Sequence, residues 1–179
     1  MSRRIATWVA FGPSLAAGVA GAIWWALDPP SLQPTLALGP SLALGAATGG
    51  LLLAAAWWLE RNVRSFAWVA RATERALARL APSRTVAALL ALGTSLGEEL
   101  LFRGMLLDAV GLVPQALLFG ALHPAGRRGW SYPLFVAASG LALGGVVVVT
   151  GRLAPAVLAH LIVNGVGLLS TPRSEPRPR

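Results

Sequence analysis

The residues of this sequence that could carry chemistry begin with Glu98, Glu99 and Arg103, which lie inside an otherwise apolar run. A charged side chain is costly at bilayer depth, so three of them within six residues indicate a functional site. Glu99 precedes Arg103 by four residues, which is the favourable order for an ion pair on one helix face. Glu98 lies about 100° further round the same helix and has no such local partner. The spacing therefore predicts a structural Glu99–Arg103 pair and leaves Glu98 free for chemistry.

The two histidines of the chain form further polar pairs in later apolar segments. Phe119 and His123 are four residues apart, as are His160 and Asn164, so each pair shares one helix face. A single histidine within a span is often only a hydrogen-bonding contact between helices. Two glutamates, two histidines, an arginine and an asparagine on three later helices are much harder to assign to packing. We therefore predict that these residues form one site.

Hydrolysis of a peptide bond is a reaction that this set of side chains could support. It needs a base, a water molecule and donors aimed at the developing oxyanion, and His160 and Asn164 can donate from one helix face. The sequence contains no cysteine, which excludes a thiol nucleophile, a thiolate metal site and a disulfide framework. Ser95 has no positioned base and no nucleophile elbow, and an HExxH sequence is absent, so neither a serine hydrolase nor a thermolysin-like zinc site is supported.

Two alternatives stay open for the same residues. Glu98, His123 and His160 could supply three ligands to a zinc ion that keeps an open fourth position. Chains of glutamate and histidine also make proton relays, so a proton-coupled transporter or a bacteriocin-immunity protein is the alternative outside enzymes.

The composition of the chain is that of a membrane protein. Of its 179 residues 55% are hydrophobic and 12% are charged, and the mean hydropathy is +0.65. All fifteen basic residues are arginines in a chain of net charge +8. They flank the apolar runs, which favours membrane topology over nucleic-acid binding as the reason for the charge.

The apolar runs predict an all-α fold, a polytopic transmembrane helical bundle with about six spans and one interfacial amphipathic helix. Residues 1–170 would form a single membrane-embedded domain, and residues 171–179 a disordered cytoplasmic tail. The fourth run is short for a full span. The predicted spans are 5–27, 35–59, 85–110, 114–123, 130–150 and 153–170.

The segment 60–82 has the pattern of an amphipathic helix on the membrane surface, although a solvated helix without lipid contact would have the same periodicity. Its arginines lie opposite its apolar residues. The apolar face comprises Val63, Phe66, Ala67, Ala70, Leu77 and Leu80, and the basic face comprises Arg64, Arg71, Arg75 and Arg79.

The arginines also predict the orientation in the membrane. With the N-terminus inside, thirteen of the fifteen lie in cytoplasmic segments, Arg152 lies outside and Arg103 within the membrane. Both termini of a multi-pass protein of the plasma (inner) membrane would then be cytoplasmic. Counting about 1.5 Å per residue places Glu98, His123 and His160 at similar depth in the outer half of the bilayer. We therefore expect a cavity that is reached from the outer leaflet or the periplasmic side.

The ordered set of motifs resembles a known family. Glu98-Glu99-x-x-x-Arg103 followed by Gly104, then Phe119-x-x-x-His123, then His160-x-x-x-Asn164 are similar to the three signature motifs of the CPBP intramembrane glutamic endopeptidases (CAAX protease and bacteriocin-processing, ABI/Rce1-like). The family core would cover about 84–170.

The resemblance implies a metal-independent protease without a cofactor, built around a polar cavity in a helical membrane core. Glu98 would act as general base with His123, and His160 and Asn164 would stabilise the oxyanion. Glu99, Arg103 and Phe119 would support them. The implied partners are the lipid bilayer and a protein or peptide substrate with a membrane-associated segment, not nucleic acid. CAAX-like processing and trimming of C-terminal sorting tails, as in myxosortase-like enzymes, are both compatible with the resemblance.

Overall fold

The computed structural model describes residues 3–80 and 82–170 of the chain, with side chains from residue 12 onward except that of Arg79. This part folds into helices without any strand, which confirms the predicted all-α bundle. The predicted tail 171–179 lies outside the described residues. The helices are α1 (Arg3–Leu27), α2 (Leu38–Asn62), α3 (Arg64–Leu80), α4 (Arg84–Val110), α5 (Leu112–Ala121), α6 (Ser131–Thr150) and α7 (Ala154–Ser170), and a short 3₁₀ turn, Arg127–Gly129, precedes α6.

Each predicted span coincides with one of these helices. By length and composition α2, α4 and α6 can each cross a membrane. The apolar part Gly12–Leu27 of α1 and the helices α5 and α7 are apolar but shorter. The protein is therefore a helical membrane protein.

The helices end where the backbone is forced to leave the helical conformation. Val63 is extended and separates α2 from α3, and the Ser83 side chain caps α4 by accepting a hydrogen bond from the Val86 N–H at 3.2 Å. Gly151 ends α6 with a φ of 61°, and a Cβ there would collide with the Gln33 carbonyl. Only glycine fits a left-handed position at such a close approach.

Glycines bring pairs of helices into backbone contact, as is common in lipid, where small residues replace the hydrophobic effect as the source of close packing. A Cβ on Gly18 of α1 would lie 2.8 Å from the Gly97 Cα of α4. A Cβ on Gly45 of α2 would overlap the Pro155 carbonyl oxygen of α7. These contacts pair α1 with α4 and α2 with α7, so the bundle brings the first two spans against the later ones.

The order of these contacts gives the directions of the helices. Gly45 and Gly49 of α2 meet Pro155 and then Ala159 of α7, so α2 and α7 run parallel. The starts of α4 and α6 and the ends of α2 and α7 therefore lie at the end of the bundle that carries α3. We call this the α3 end.

The predicted amphipathic helix is present as α3, but its apolar face packs onto the bundle. Phe66, Ala67 and Leu77 are buried, and the Phe66 ring stacks edge-on against Phe135 of α6 with 5.3 Å between centroids. Arginines such as Arg71 remain exposed on the opposite face. Part of the hydrophobic side of α3 thus packs against the protein itself.

Candidate active site

The backbone of α4 changes character directly after the two glutamates. Residues Leu100–Leu106 form a π-helical segment, in which the Leu107 N–H bonds to the Phe102 carbonyl oxygen five residues earlier. π-Segments inside α-helices are rare and are frequent at functional sites. Arg103 lies in this segment and is fully buried. Periodicity alone did not predict this feature.

Glu98 lies where four helices meet. Its Oε1 accepts a hydrogen bond from the Ser14 hydroxyl of α1 at 2.5 Å. Its Oε2 lies 3.8 Å from the His123 Nε2 and 3.9 Å from the His160 Nε2. The side chain is 9% exposed. The structure thus brings together three of the four residues for which the sequence predicted chemistry, Glu98, His123 and His160, and adds Ser14.

His123 is oriented by the way α5 ends. The helix stops at Ala121, and the His123 N–H bonds to the Gly120 carbonyl instead of the Phe119 carbonyl. The Phe119 oxygen accepts from the His123 Nδ1 at 2.7 Å. Because a carbonyl only accepts, Nδ1 carries a proton, and in the neutral ring Nε2 presents a lone pair towards Glu98.

Glu99 has two partners, of which the sequence predicted one. Its Oε1 accepts from the Arg103 Nη1 at 2.7 Å, and both side chains are fully buried, so the predicted ion pair is present. The same oxygen also accepts from the His160 Nδ1 at 2.8 Å. Glu99 therefore links the arginine to a histidine of the site. A carboxylate on one ring nitrogen fixes the orientation of an imidazole, as in hydrolase triads.

The Phe119 ring forms the packing centre of the site. The Arg103 guanidinium carbon lies 4.2 Å from its centroid, and the rings of Phe102 and His123 both lie 4.8 Å away in tilted geometry. Within the described residues Arg103 Nε and Nη2 have no hydrogen-bond acceptor. The negative face of the Phe119 ring is the group that faces this cation. Phe119 therefore supports both Arg103 and the histidines.

Asn164 reaches the cavity, but its amide nitrogen is directed at α4. The Nδ2 atom lies 3.3 Å from the hydroxyl oxygens of Thr94 and Ser95. The Thr94 hydroxyl donates to the Leu90 carbonyl at 2.8 Å, so it can accept from the asparagine. These contacts join α7 to α4. The predicted oxyanion role of Asn164 is not visible in this geometry.

A cavity of about 600 Å³ leads away from the catalytic candidates. Glu98, His123 and His160 line its inner part, and residues of α2, α3 and α7, such as Ala56 and Leu77, line the rest. These walls lie on the side of the α3 end. The expectation of an opening at the opposite end is therefore wrong for this cavity. Residue counting along straight helices gives depth only, and cannot show that α2, α3 and α7 leave a gap between them.

Two side chains near Glu98 were missed by the sequence reasoning. Ser14 lies 84 positions away in the sequence, and contacts between distant helices have no spacing signal. Tyr132 is the one tyrosine of the chain and lines the same cavity. A lone tyrosine at the start of a span normally indicates an interfacial anchor, so its type did not mark it as part of a site.

The described ranges, 3–80 and 82–170, contain no group of three or more His, Asp and Glu side chains arranged to hold a metal ion. Bonds of about 2.0–2.2 Å around a tetrahedral zinc ion place its ligand atoms about 3.3–3.6 Å apart. The Glu98–His123 and Glu98–His160 separations are longer, at 3.8 and 3.9 Å.

The structure is a helical membrane bundle in which glutamate and histidine side chains lie buried around a cavity. Residues 81–166, just under half of the chain, match the family described as type II CAAX prenyl endopeptidase Rce1-like. This segment is thus similar to the Rce1-like family, which is named for an endopeptidase. This segment holds Glu98, His123 and Asn164 with all the other predicted site residues, whereas Ser14 lies outside it.

A curated relative is similar to part of the chain. The uncharacterized protein YpbD of Bacillus subtilis (strain 168) is 38% identical over 69 residues, which are 38% of this chain and 36% of the relative. The chain thus spans about a third of the length of that relative. No solved structure matches the chain.

Proposed function

We propose that the protein is an intramembrane endopeptidase of the glutamic type. The observation that carries this proposal is the convergence of Glu98 Oε2 with the Nε2 atoms of His123 and His160 at 3.8 and 3.9 Å. The match of residues 81–166 to the Rce1-like family supports a peptide hydrolase. The reaction is attack of water on a peptide carbonyl in a substrate that enters the cavity.

Water activation is assigned to Glu98 and His123. One water molecule within hydrogen-bond reach of both acceptors can donate one hydrogen to Glu98 Oε2 and the other to His123 Nε2, since these atoms are 3.8 Å apart. Its oxygen lone pair then faces the cavity. As the water attacks, the Glu98 carboxylate takes a proton, which it later delivers to the leaving amine.

Stabilisation of the oxyanion is assigned to His160, with Asn164 as a second donor. His160 donates from Nδ1 to the Glu99 carboxylate, so it can donate from Nε2 only when both ring nitrogens are protonated. Glu99 Oε1 accepts from both His160 Nδ1 and Arg103 Nη1, so the pair holds the ring with Nε2 facing the site. The Asn164 contacts to α4 are long at 3.3 Å, so its amide can exchange one of them for a substrate oxygen.

The apolar lining of the cavity also supports the proposal that the substrate has an apolar, membrane-associated segment. Side chains such as Leu53, Phe66 and Val163 form its walls between the site and the α3 end. With the orientation proposed from the arginines, that end faces the cytoplasm of a multi-pass plasma-membrane protein with both termini inside. CAAX-like substrates and C-terminal sorting tails both have the required apolar or lipid-linked segment.

Zinc-dependent hydrolysis is the second candidate, and one observation favours it. Each histidine donates its Nδ1–H to a carbonyl or carboxylate and leaves Nε2 facing Glu98, as zinc-ligating histidines do. The glutamic mechanism predicts full activity in excess chelator. Activity that is lost with a chelator and restored by zinc would instead support the metal enzyme.

The proposed function is tested by comparing protein termini in cells. Membrane and surface proteins from cells with the wild-type protein are compared with those from cells with Glu98→Gln. We expect new termini near hydrophobic segments only with the wild type, at equal expression of both proteins. Identical sets of termini would contradict a proteolytic role and favour a transport or immunity function.

A further inference from the structure

The hydrogen bond from α1 to Glu98 gives the two oxygens of this carboxylate separate environments. Oε1 accepts from the Ser14 hydroxyl, and Oε2 faces the two histidines. Rotation about the last torsion of a glutamate is broad, so the carboxylate has no strong orientation of its own. A fixed donor on one oxygen holds the other in line with His123 and His160.

Close backbone packing fixes Ser14 beside Glu98. A Cβ on Gly97 would lie 2.8 Å from the Ser14 carbonyl oxygen, and a Cβ on Gly21 would lie 2.6 Å from the Leu101 nitrogen. Helices in such contact cannot slide past each other without steric overlap. The register of α1 against α4 therefore places the Ser14 hydroxyl beside Glu98, the residue that follows Gly97.

We infer that Ser14 is a positioning residue for Glu98, and that α1 forms part of the catalytic unit although it lies outside the segment that matches the Rce1-like family, residues 81–166. This inference rests on the proposed function. Ser14 acts through Glu98 and does not itself take part in the bond changes. Its loss lowers the rate of the chemical step more than it weakens substrate binding.

Three substitutions at this position separate hydrogen bonding from packing. Ser14→Thr keeps the hydroxyl and adds a methyl group, Ser14→Cys keeps the size but donates weakly, and Ser14→Ala removes the donor. A hydrogen bond to a charged group corresponds to a fall in kcat of about 10- to 100-fold for Ala, with KM nearly unchanged. We expect the kcat of Ser14→Cys to resemble that of Ser14→Ala, and the kcat of Ser14→Thr to stay within about threefold of wild type.

Ser41 provides the matched control, because it is a fully buried serine of another span whose hydroxyl donates only to its own helix, to the Ala37 carbonyl at 2.8 Å. Ser41→Ala should leave kcat unchanged. A packing role for Ser14 would reverse the order, with Cys and Ala active and Thr impaired, and would overturn the inference.

An infrared difference spectrum tests the same contact without any substrate. The carboxylate band of Glu98 is identified as the band that Glu98→Gln removes. We expect this band to shift in Ser14→Ala and Ser14→Cys, and to stay in place in Ser14→Thr and Ser41→Ala. An unshifted band in Ser14→Ala overturns the inference even if the wild type cleaves peptides. A shifted band in a protein that cleaves nothing supports the positioning contact and contradicts only the proposed function.

Discussion

The buried pair of Glu99 and Arg103 contributes both to stability and to the site, and the two contributions can be measured separately. Both side chains are fully buried, and Glu99 Oε1 also holds His160. Arg103→Met leaves a carboxylate without its cation, and Glu99→Gln leaves a cation without its carboxylate. Breaking a buried pair from one side costs about 3–5 kcal/mol of unfolding free energy. This is more than about 100-fold in the folding equilibrium.

The double variant Glu99→Gln/Arg103→Met removes both charges together. Because no uncompensated charge remains, its stability should return to within about 2 kcal/mol of wild type. Its activity should stay about 100-fold low, since His160 has lost the carboxylate that orients its ring as an oxyanion donor. Unfolding in mixed detergent micelles measures the first quantity, and kcat on a cleavable peptide measures the second. A double variant with wild-type kcat would refute the role given to Glu99.

Two further predictions concern packing and access. Gly49→Ala should destabilise the protein by about 1–3 kcal/mol, because a Cβ there would lie 2.8 Å from the Ala159 oxygen. The control Gly50→Ala places its Cβ in open space and should not change the stability. Equal unfolding curves for the two variants would contradict the packing of α2 on α7. In this cysteine-free chain, Thr73→Cys lines the cavity at the α3 end and Gln33→Cys lies in the loop before α2, at the opposite end. A membrane-impermeant thiol reagent should label only Gln33→Cys in intact cells, and the reverse result would place the α3 end outside.

Local spacing explains how much of this molecule the sequence could predict. The Glu99–Arg103 contact and the Phe119–His123 pairing connect residues four apart, and helical geometry alone brings such residues together. The helices were predicted equally well, because an apolar run of about 20 residues has few alternatives in a membrane.

Contacts between helices could not be predicted in the same way. The bond from Ser14 to Glu98 and the bond from His160 to Glu99 depend on register, which is set by glycine contacts such as Gly18 on Gly97. The π-helical segment also has no periodic signal of its own. The direction of the cavity was predicted wrongly because it depends on where α3 packs.

Cleavage by the purified protein in lipid nanodiscs, performed in ¹⁸O-labelled water with excess chelator, tests most directly that Glu98 and His123 activate water. We predict one ¹⁸O atom in each newly formed carboxyl terminus with the wild type. With Glu98→Gln we predict a rate lower by about 10²- to 10⁴-fold at unchanged stability. Cleavage by Glu98→Gln at the wild-type rate, or cleavage by the wild type only after zinc is restored, would contradict this mechanism.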